Sequence, residues 1–411
     1  MSDHSNLRIA SQVIHAGQHA EPVTGAVMPP IFTSTTYAQE SPGVHKGFEY
    51  SRSHNPTRYA LERMIARLEG STISEDTDAS CGGFAFASGL AAMATALELI
   101  DAGSHIISMD DIYGGSNRLL QKVRQRTQNL DIDFVDLTDE SKLRAAMRPD
   151  TAMLWVETPT NPTLKIVDIA RVAQIAHEVN PKCLVVVDNT FCSPVNQRPL
   201  QHGADIVMHS STKYVNGHSD VVGGILVTGK PEIAERLRFL QNAIGSVMGP
   251  FDAYLTLRGL KTLDVRIRRH NASALRIAKH LEASDLVDRV VYPGLESHPQ
   301  HGVYKKQMEA TGGGGTGMIT FFIKGGLEPA KAFLETVSIF TLAESLGGIE
   351  SLIEHPAIMT HASVPPEQRA VLGIDDALIR LSVGIEDCDD LIADVDRALE
   401  AASTKMGAMA G

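Results

Sequence analysis

A chain of 411 residues, 43% hydrophobic and 21% charged, is long enough to bury one large core and a smaller one, so two domains are expected. A formal net charge of -12 argues against nucleic acid or an anionic membrane surface as a partner, and no apolar run is long enough to span a bilayer. Cys81, Cys183, Cys192 and Cys388 form no C-x-x-C pair, and Met1-Ser2-Asp3-His4-Ser5 is no apolar signal region, which together point to free thiols in the cytoplasm.

Residues 1–60 are punctuated by Pro22, Gly25, Pro29, Pro30, Pro42, Gly43 and Pro56 and show little helical periodicity. Such an arm cannot build its own core and is expected to pack on another surface, that of a neighbouring subunit. Its polar end, Glu49-Tyr50-Ser51-Arg52 with Asn55-Pro56-Thr57, reads by composition as a solvated loop. A helix is predicted over Tyr59–Glu69, with Leu61, Met64, Ile65 and Leu68 on one face. The polar, glycine-rich stretch Ser71–Gly83 reads as a surface insertion. A short strand, Phe84–Ala87, then leads through Ser88-Gly89 into an alanine-rich helix. That arrangement suits an anion, because the first amides of a helix lack internal partners, although Ser is equally a plain N-cap.

Apolar runs at His105–Met109, Ile132–Val135, Ala152–Val156, Cys183–Val187, Ala204–His209 and Gly224–Val227 alternate with helical spacers. They predict an α/β fold with a mainly parallel sheet over residues 61–250. Polar residues cluster just past the strand ends: Asp110 to Gly115, Glu157 to Pro162, Asp188 to Thr190, and Ser210-Ser211-Thr212-Lys213. Ligands of open α/β sheets sit outside the carboxyl ends of the strands. A lysine on one strand end and Asp188 on another suit an imine-forming cofactor with a pyridine nitrogen; taken alone, Lys213 reads as a solvated surface lysine. Gly245–Pro250 breaks the pattern, and a long helix over Phe251–Leu281 is expected to connect to a smaller α+β domain over residues 251–411. That domain would hold strands at Met318–Ile323 and Ala377–Val383 and helices near 328–337 and 389–402. Arg380, inside an apolar strand, must pair with a carboxylate or face a cavity.

Other motifs carry less. Gly312–Gly317 matches G-x-G-x-x-G but precedes a strand instead of following one, and Gly224–Lys230 resembles a P-loop but has Pro231 where Ser or Thr should hold magnesium. His298-x-x-His301 has no third ligand nearby, so no metal site is expected.

Taken together, the segments at 49–57, 87–92, 110–115, 157–162, 187–191, 210–220 and 343–348 resemble the Cys/Met-metabolism family of pyridoxal-phosphate enzymes, over residues 8 to 400. The resemblance implies an aspartate-aminotransferase-like (fold-type I) large domain with pyridoxal 5'-phosphate bound through an imine to Lys213. It implies that Asp188 pairs with the pyridine nitrogen and that Tyr113 stacks on the ring and takes part in proton transfer. Gly89, Leu90, Ser210 and Thr212 would bind the phosphate, with Tyr50 and Arg52 reaching it from the neighbouring subunit. Arg380 would clamp the substrate carboxylate, helped by Asn161 and Ser345, while Glu344, Glu49 and Arg118 would lie near the distal substrate end. The implied reaction is γ-elimination of L-cystathionine to L-cysteine, 2-oxobutanoate and ammonia, by a homotetramer built as a dimer of dimers. The alternative is γ-replacement of O-succinyl- or O-acetylhomoserine by cysteine.

Overall fold

A computed structural model describes residues 7–308, 314–362 and 365–410. The six apolar runs and the strand before Ser88 form one seven-stranded sheet: β1 (Gly83–Phe86), β2 (His105–Met109), β3 (Asp131–Val135), β4 (Thr151–Glu157), β5 (Leu184–Asp188), β6 (Ile206–Ser210) and β7 (Gly224–Thr228). The order is β1-β7-β6-β5-β4-β2-β3. Only β7 runs against its neighbours β1 and β6; every other pairing is parallel. The inner strands are buried on both faces, which is why they read as continuous apolar runs. β3 is the edge strand and is partly exposed. Its Asp131 and Asp133 pair with Arg148, a charged edge that resists further strand pairing.

This order brings the carboxyl ends of β2, β4, β5 and β6 side by side. Because β7 reverses direction between β6 and β1, the end of β1 falls on the same edge. Helix α1 (Ile9–His15), not foreseen in the arm, buries Val13 against helix α2 (Pro56–Glu69), and α2 begins at an Asn55 cap that accepts the Thr57 and Arg58 amides. Helix α3 (Gly89–Leu97) follows β1 directly.

The second sheet has the order β10-β11-β12-β9-β8, made of β8 (Val287–Val291), β9 (Met318–Ile323), β10 (Thr341–Leu342), β11 (Leu352–Glu354) and β12 (Leu378–Ser382). Strand alternation sorts its faces. Ile319, Phe321, Ile379 and Leu381 pack with Phe333, Leu391 and Val395 of the helices Leu327–Thr336 and Cys388–Ala410. Thr320 and Arg380 point the other way, toward the large sheet, where the Thr320 hydroxyl donates to the Pro162 carbonyl at 2.6 Å.

Two expectations are corrected. The connecting helix is broken into Pro250–Leu260 and Leu263–Glu282. The Gly259 carbonyl is taken by the Arg266 guanidinium at 2.9 Å and by the Thr262 amide at 3.1 Å, which ends the first segment without a proline. Ser71–Gly83 is a loop, exposed at Thr72, Ser74, Asp76, Thr77 and Ala79, but it does not lie wholly on the surface. Ser71, Ile73, Asp78 and Ser80 are buried, the Ser71 hydroxyl bonds to the Cys81 and Thr228 carbonyls, and Asp78 pairs with Arg238. The stretch is polar because its polar groups are satisfied internally. Gly312 and Gly313 of the glycine run lie outside the described residues.

Candidate active site

A cavity of about 380 Å³ opens at the shared strand edge. Its walls include Gly89 and Leu90 from the start of α3, Tyr113 after β2, Glu157 and Asn161 after β4, Asp188 at the end of β5, and Ser210, Thr212 and Lys213 after β6. Glu344 and Ser345, in the loop after β10, and Arg380 of β12 close it from the side of the second sheet.

The Lys213 amine donates to the Ser345 hydroxyl at 2.7 Å. Burial, with the Arg380 cation second, lowers its pKa to about 8. Ser345 holds a φ of +95°, a left-handed conformation uncommon for a side-chain-bearing residue. Through that bend its hydroxyl meets Lys213 while its carbonyl accepts from Arg380 at 2.8 Å. Arg380 pairs across the β11–β12 ladder with Glu354, at 2.8 Å, and donates to the Asn161 side chain at 2.8 Å. The strand-borne arginine therefore does both things open to it, pairing with a carboxylate and facing a cavity.

Asp188 lies beside Glu157 in the β4–β5 register, and both are buried. Burial raises both carboxyls. The Asp188 charge pushes Glu157 further, well above the usual carboxylate range. Glu157 also accepts the Tyr113 amide at 2.9 Å, fixing the turn that carries Tyr113. The Tyr113 ring, 45% exposed, folds over Gly115, where a Cβ would stand 2.4 Å from the ring. Asp188 accepts from the Thr190 amide at 3.0 Å and hydroxyl at 2.5 Å, both at Oδ1, which leaves Oδ2 for a donor in the cavity.

At the anion-suited end, the Ser88 hydroxyl caps α3 by accepting the Ala91 amide at 3.0 Å. The Gly89 and Leu90 amides stand in the first turn, where no carbonyl one turn back can serve them. A Cβ on Gly89 would lie 3.1 Å from the Ser210 Cβ, so glycine lets the helix start lie against the end of β6. Gly224 makes a second close approach, since a Cβ there would sit 2.1 Å from the Ser88 carbonyl. Gly224→Ala is expected to push the α3 start away from Ser210 and weaken cofactor affinity about tenfold or more. Absorbance titration of the cofactor-free protein measures this, and an unchanged affinity would refute it.

Tyr50, Arg52, Glu49 and Arg118 do not line the cavity of their own chain and are exposed. Arg52 lies over the Tyr50 ring at 5.7 Å. Among wall and support residues, Thr190 and Thr360 went unpredicted, as did the roles of Glu157 and Glu354. Glu157 could have been found, since it ends a strand beside Asp188. Glu354 sits in a three-residue strand with no pattern of its own. Among the described residues no group of three or more His, Cys, Asp or Glu gathers as for a metal ion. His298 and His301 instead bond to the Leu164 and Pro293 carbonyls.

Residues 10–400 match the family model described as Cys/Met metabolism PLP-dependent enzyme. The chain is 55% identical over 399 residues to cystathionine beta-lyase of Coxiella burnetii, covering 97% of this chain and 99% of that one. It is 52% identical over 399 residues to the Homo sapiens cystathionine gamma-lyase, covering 97% and 95%. The solved structure of cystathionine gamma-lyase from Lactobacillus plantarum complexed with L-serine superposes with a TM-score of 0.90 at 42% identity, over 97% of this chain and 100% of that one. The cavity suits pyridoxal phosphate: an amine of lowered pKa for its aldehyde, a carboxyl at the far wall for its ring nitrogen, and a glycine-opened helix start with two hydroxyls for its phosphate. The chain thus belongs to the Cys/Met metabolism family of PLP-dependent enzymes, and pyridoxal phosphate is its cofactor.

Proposed function

We propose that the chain carries out γ-elimination of L-cystathionine, which with one water gives L-cysteine, 2-oxobutanoate and ammonia. The observation that carries this reading is the meeting of a proton-moving amine and a carboxylate clamp at one residue: Ser345 bonds Lys213 through its hydroxyl and Arg380 through its carbonyl. The relatives named cystathionine gamma-lyase, 52% identical in Homo sapiens, support the substrate.

In this reading the chain is an aspartate-aminotransferase-like large domain with a smaller domain behind it. Pyridoxal phosphate supplies an electron sink when bound. Lys213 holds it covalently and, once released, uses its neutral amine to move protons along the substrate's carbon chain. Arg380, held by Asn161, Ser345 and Glu354, binds the α-carboxylate with its planar fork. Asp188 would pair with the pyridine nitrogen, and Tyr113 would stack on the ring and exchange a proton near the substrate amine or the leaving sulfur. Gly89, Leu90, Ser210 and Thr212 hold the phosphate from their own chain, and Tyr50 and Arg52 reach it from a neighbouring one, within a tetramer of two dimers. Glu344, Glu49 and Arg118 belong to the distal end of the substrate site. The setting is cytoplasmic; no helix among the described residues is long and apolar enough to cross a membrane.

Products decide between reactions. Purified protein with cofactor and L-cystathionine should release 2-oxobutanoate with cysteine. Pyruvate with homocysteine would instead show β-elimination, the reading favoured by the 55% identity to a protein named cystathionine beta-lyase. Cystathionine formed faster from O-succinylhomoserine and cysteine than it is consumed would show γ-replacement.

The lowered Lys213 pKa sets a pH expectation. With a pKa of about 8, the neutral amine falls about tenfold for each unit below that value. Covalent capture of the cofactor by cofactor-free protein should therefore speed up about tenfold per unit from pH 6 toward 8 and level off above. Borohydride trapping at timed intervals reads this rate, and a flat profile would contradict it.

A further inference from the structure

Arg58 is 1% exposed, yet it stands in the first turn of α2, where a cation opposes the helix dipole. The helix does not need it for a cap, because Asn55 already accepts the Thr57 and Arg58 amides. Its guanidinium instead gathers three successive carbonyls: Nη1 donates to Ser51 at 2.9 Å, and Nη2 to Arg52 at 3.0 Å and Ser53 at 3.2 Å. Nε lies 3.4 Å from Glu62, itself 1% exposed and held by the Ala85 amide at 2.8 Å and the Gln241 side chain at 3.0 Å. A buried guanidinium is costly unless its donors are used, and here Nη1 and Nη2 are spent on backbone, while Nε makes only the ion-pair approach to Glu62. With these carbonyls turned inward, Tyr50 and Arg52 are left exposed, while the Ser51 and Ser53 hydroxyls bond within the chain. Tyr50 is 48% exposed, Arg52 is exposed, and neither lines its own chain's cavity.

We propose that Arg58 is a positioning residue that acts across the subunit boundary, fixing the segment 50–53 so that Tyr50 and Arg52 meet the phosphate in the neighbouring chain. This rests on the reading above that the segment serves a neighbour. The guanidinium fork sets its donors in fixed positions that fit three carbonyls at once, whereas a lysine carries its three donors at one point on a flexible stem.

The test pairs subunits with complementary defects by co-expressing two differently tagged chains and purifying the hybrids. Arg58→Met and Arg52→Ala homomers should each bind pyridoxal phosphate at least tenfold more weakly, read by absorbance titration, and Arg58→Lys should recover only part of that loss. In a hybrid of Arg58→Met with Lys213→Ala, the site that keeps Lys213 receives an intact segment from the other chain. That hybrid should therefore regain about half the wild-type activity per dimer and one tight cofactor site. The hybrid of Arg52→Ala with Lys213→Ala should do the same. If the Arg52 hybrid recovers and the Arg58 hybrid does not, Arg58 acts within its own chain, through Glu62 and β1, and the proposal fails while the cross-subunit reading stands. If neither hybrid recovers, the cross-subunit reading itself is wrong and the proposal falls with it. Arg58→Lys matching wild type in cofactor affinity would also overturn the proposal, and that variant keeps the buried charge opposite Glu62 should Arg58→Met not fold.

Discussion

Replacing Lys213 by alanine should lower turnover of L-cystathionine by about a thousandfold or more, because one side chain is asked to do two jobs. In the function proposed above it forms the covalent hold on the cofactor, and its neutral amine then carries the protons. Among the described residues the amine bonds only to the Ser345 hydroxyl, and the residue is half-buried on the cavity wall, so truncation should leave the sheet and both cores intact. Melting temperature should accordingly change little. Pyridoxal phosphate should still bind through the helix start, Ser210 and Thr212, but borohydride should no longer fix it to the protein. The cavity that alanine leaves can admit a small primary amine. Added methylamine should recover part of the lost rate, more at higher pH, where more of it is neutral. Activity within tenfold of wild type without added amine would remove Lys213 from the chemistry.

The strand ends that build the cavity were legible because buried parallel strands show as unbroken apolar runs, so the polar residue after each run marks an edge. His105–Met109 and the run ending in Asp188 could be placed this way, and the order of the strands then put Tyr113, Asn161, Asp188 and Lys213 together. What escaped depends on contacts distant in the chain. Nothing near Glu354 announces that the register of β11 on β12 sets it against Arg380. The break at Lys261–Thr262 is made by a side chain reaching back to a carbonyl, with no proline to mark it. Ser71–Gly83 looked solvated because composition counts polar groups and cannot tell whether a neighbouring strand satisfies them. Tyr50 and Arg52 are a different case, since they do not line their own cavity and have a role only under the proposal that they serve a second chain.

Asp188→Asn is the second large expected loss. The side chain keeps its shape and can still accept from Thr190, whose hydroxyl also receives the Ser210 amide at 2.9 Å and so ties the end of β6 to Asp188. What is lost is charge. In the cofactor-free chain, burial raises the Asp188 carboxyl above the usual range, and a cationic ring nitrogen opposes that shift by favouring the anion. Removing one member of a buried charge pair costs about 3–5 kcal/mol. If that cost falls on the step in which the ring must accept electrons, kcat drops roughly two-hundred- to five-thousandfold. Cofactor affinity should fall far less, because the covalent bond to Lys213 and the phosphate contacts persist. The split between kcat and affinity is the informative measurement. A comparable loss in both would mean that Asp188 only anchors the ring, whereas a kcat within fivefold of wild type would mean that the nitrogen needs no anion. The same linkage fixes a sign for wild type. Because burial raises the Asp188 carboxyl in the cofactor-free chain while a cationic ring favours its anion, cofactor affinity should weaken as pH falls, and Asp188→Asn should flatten that dependence.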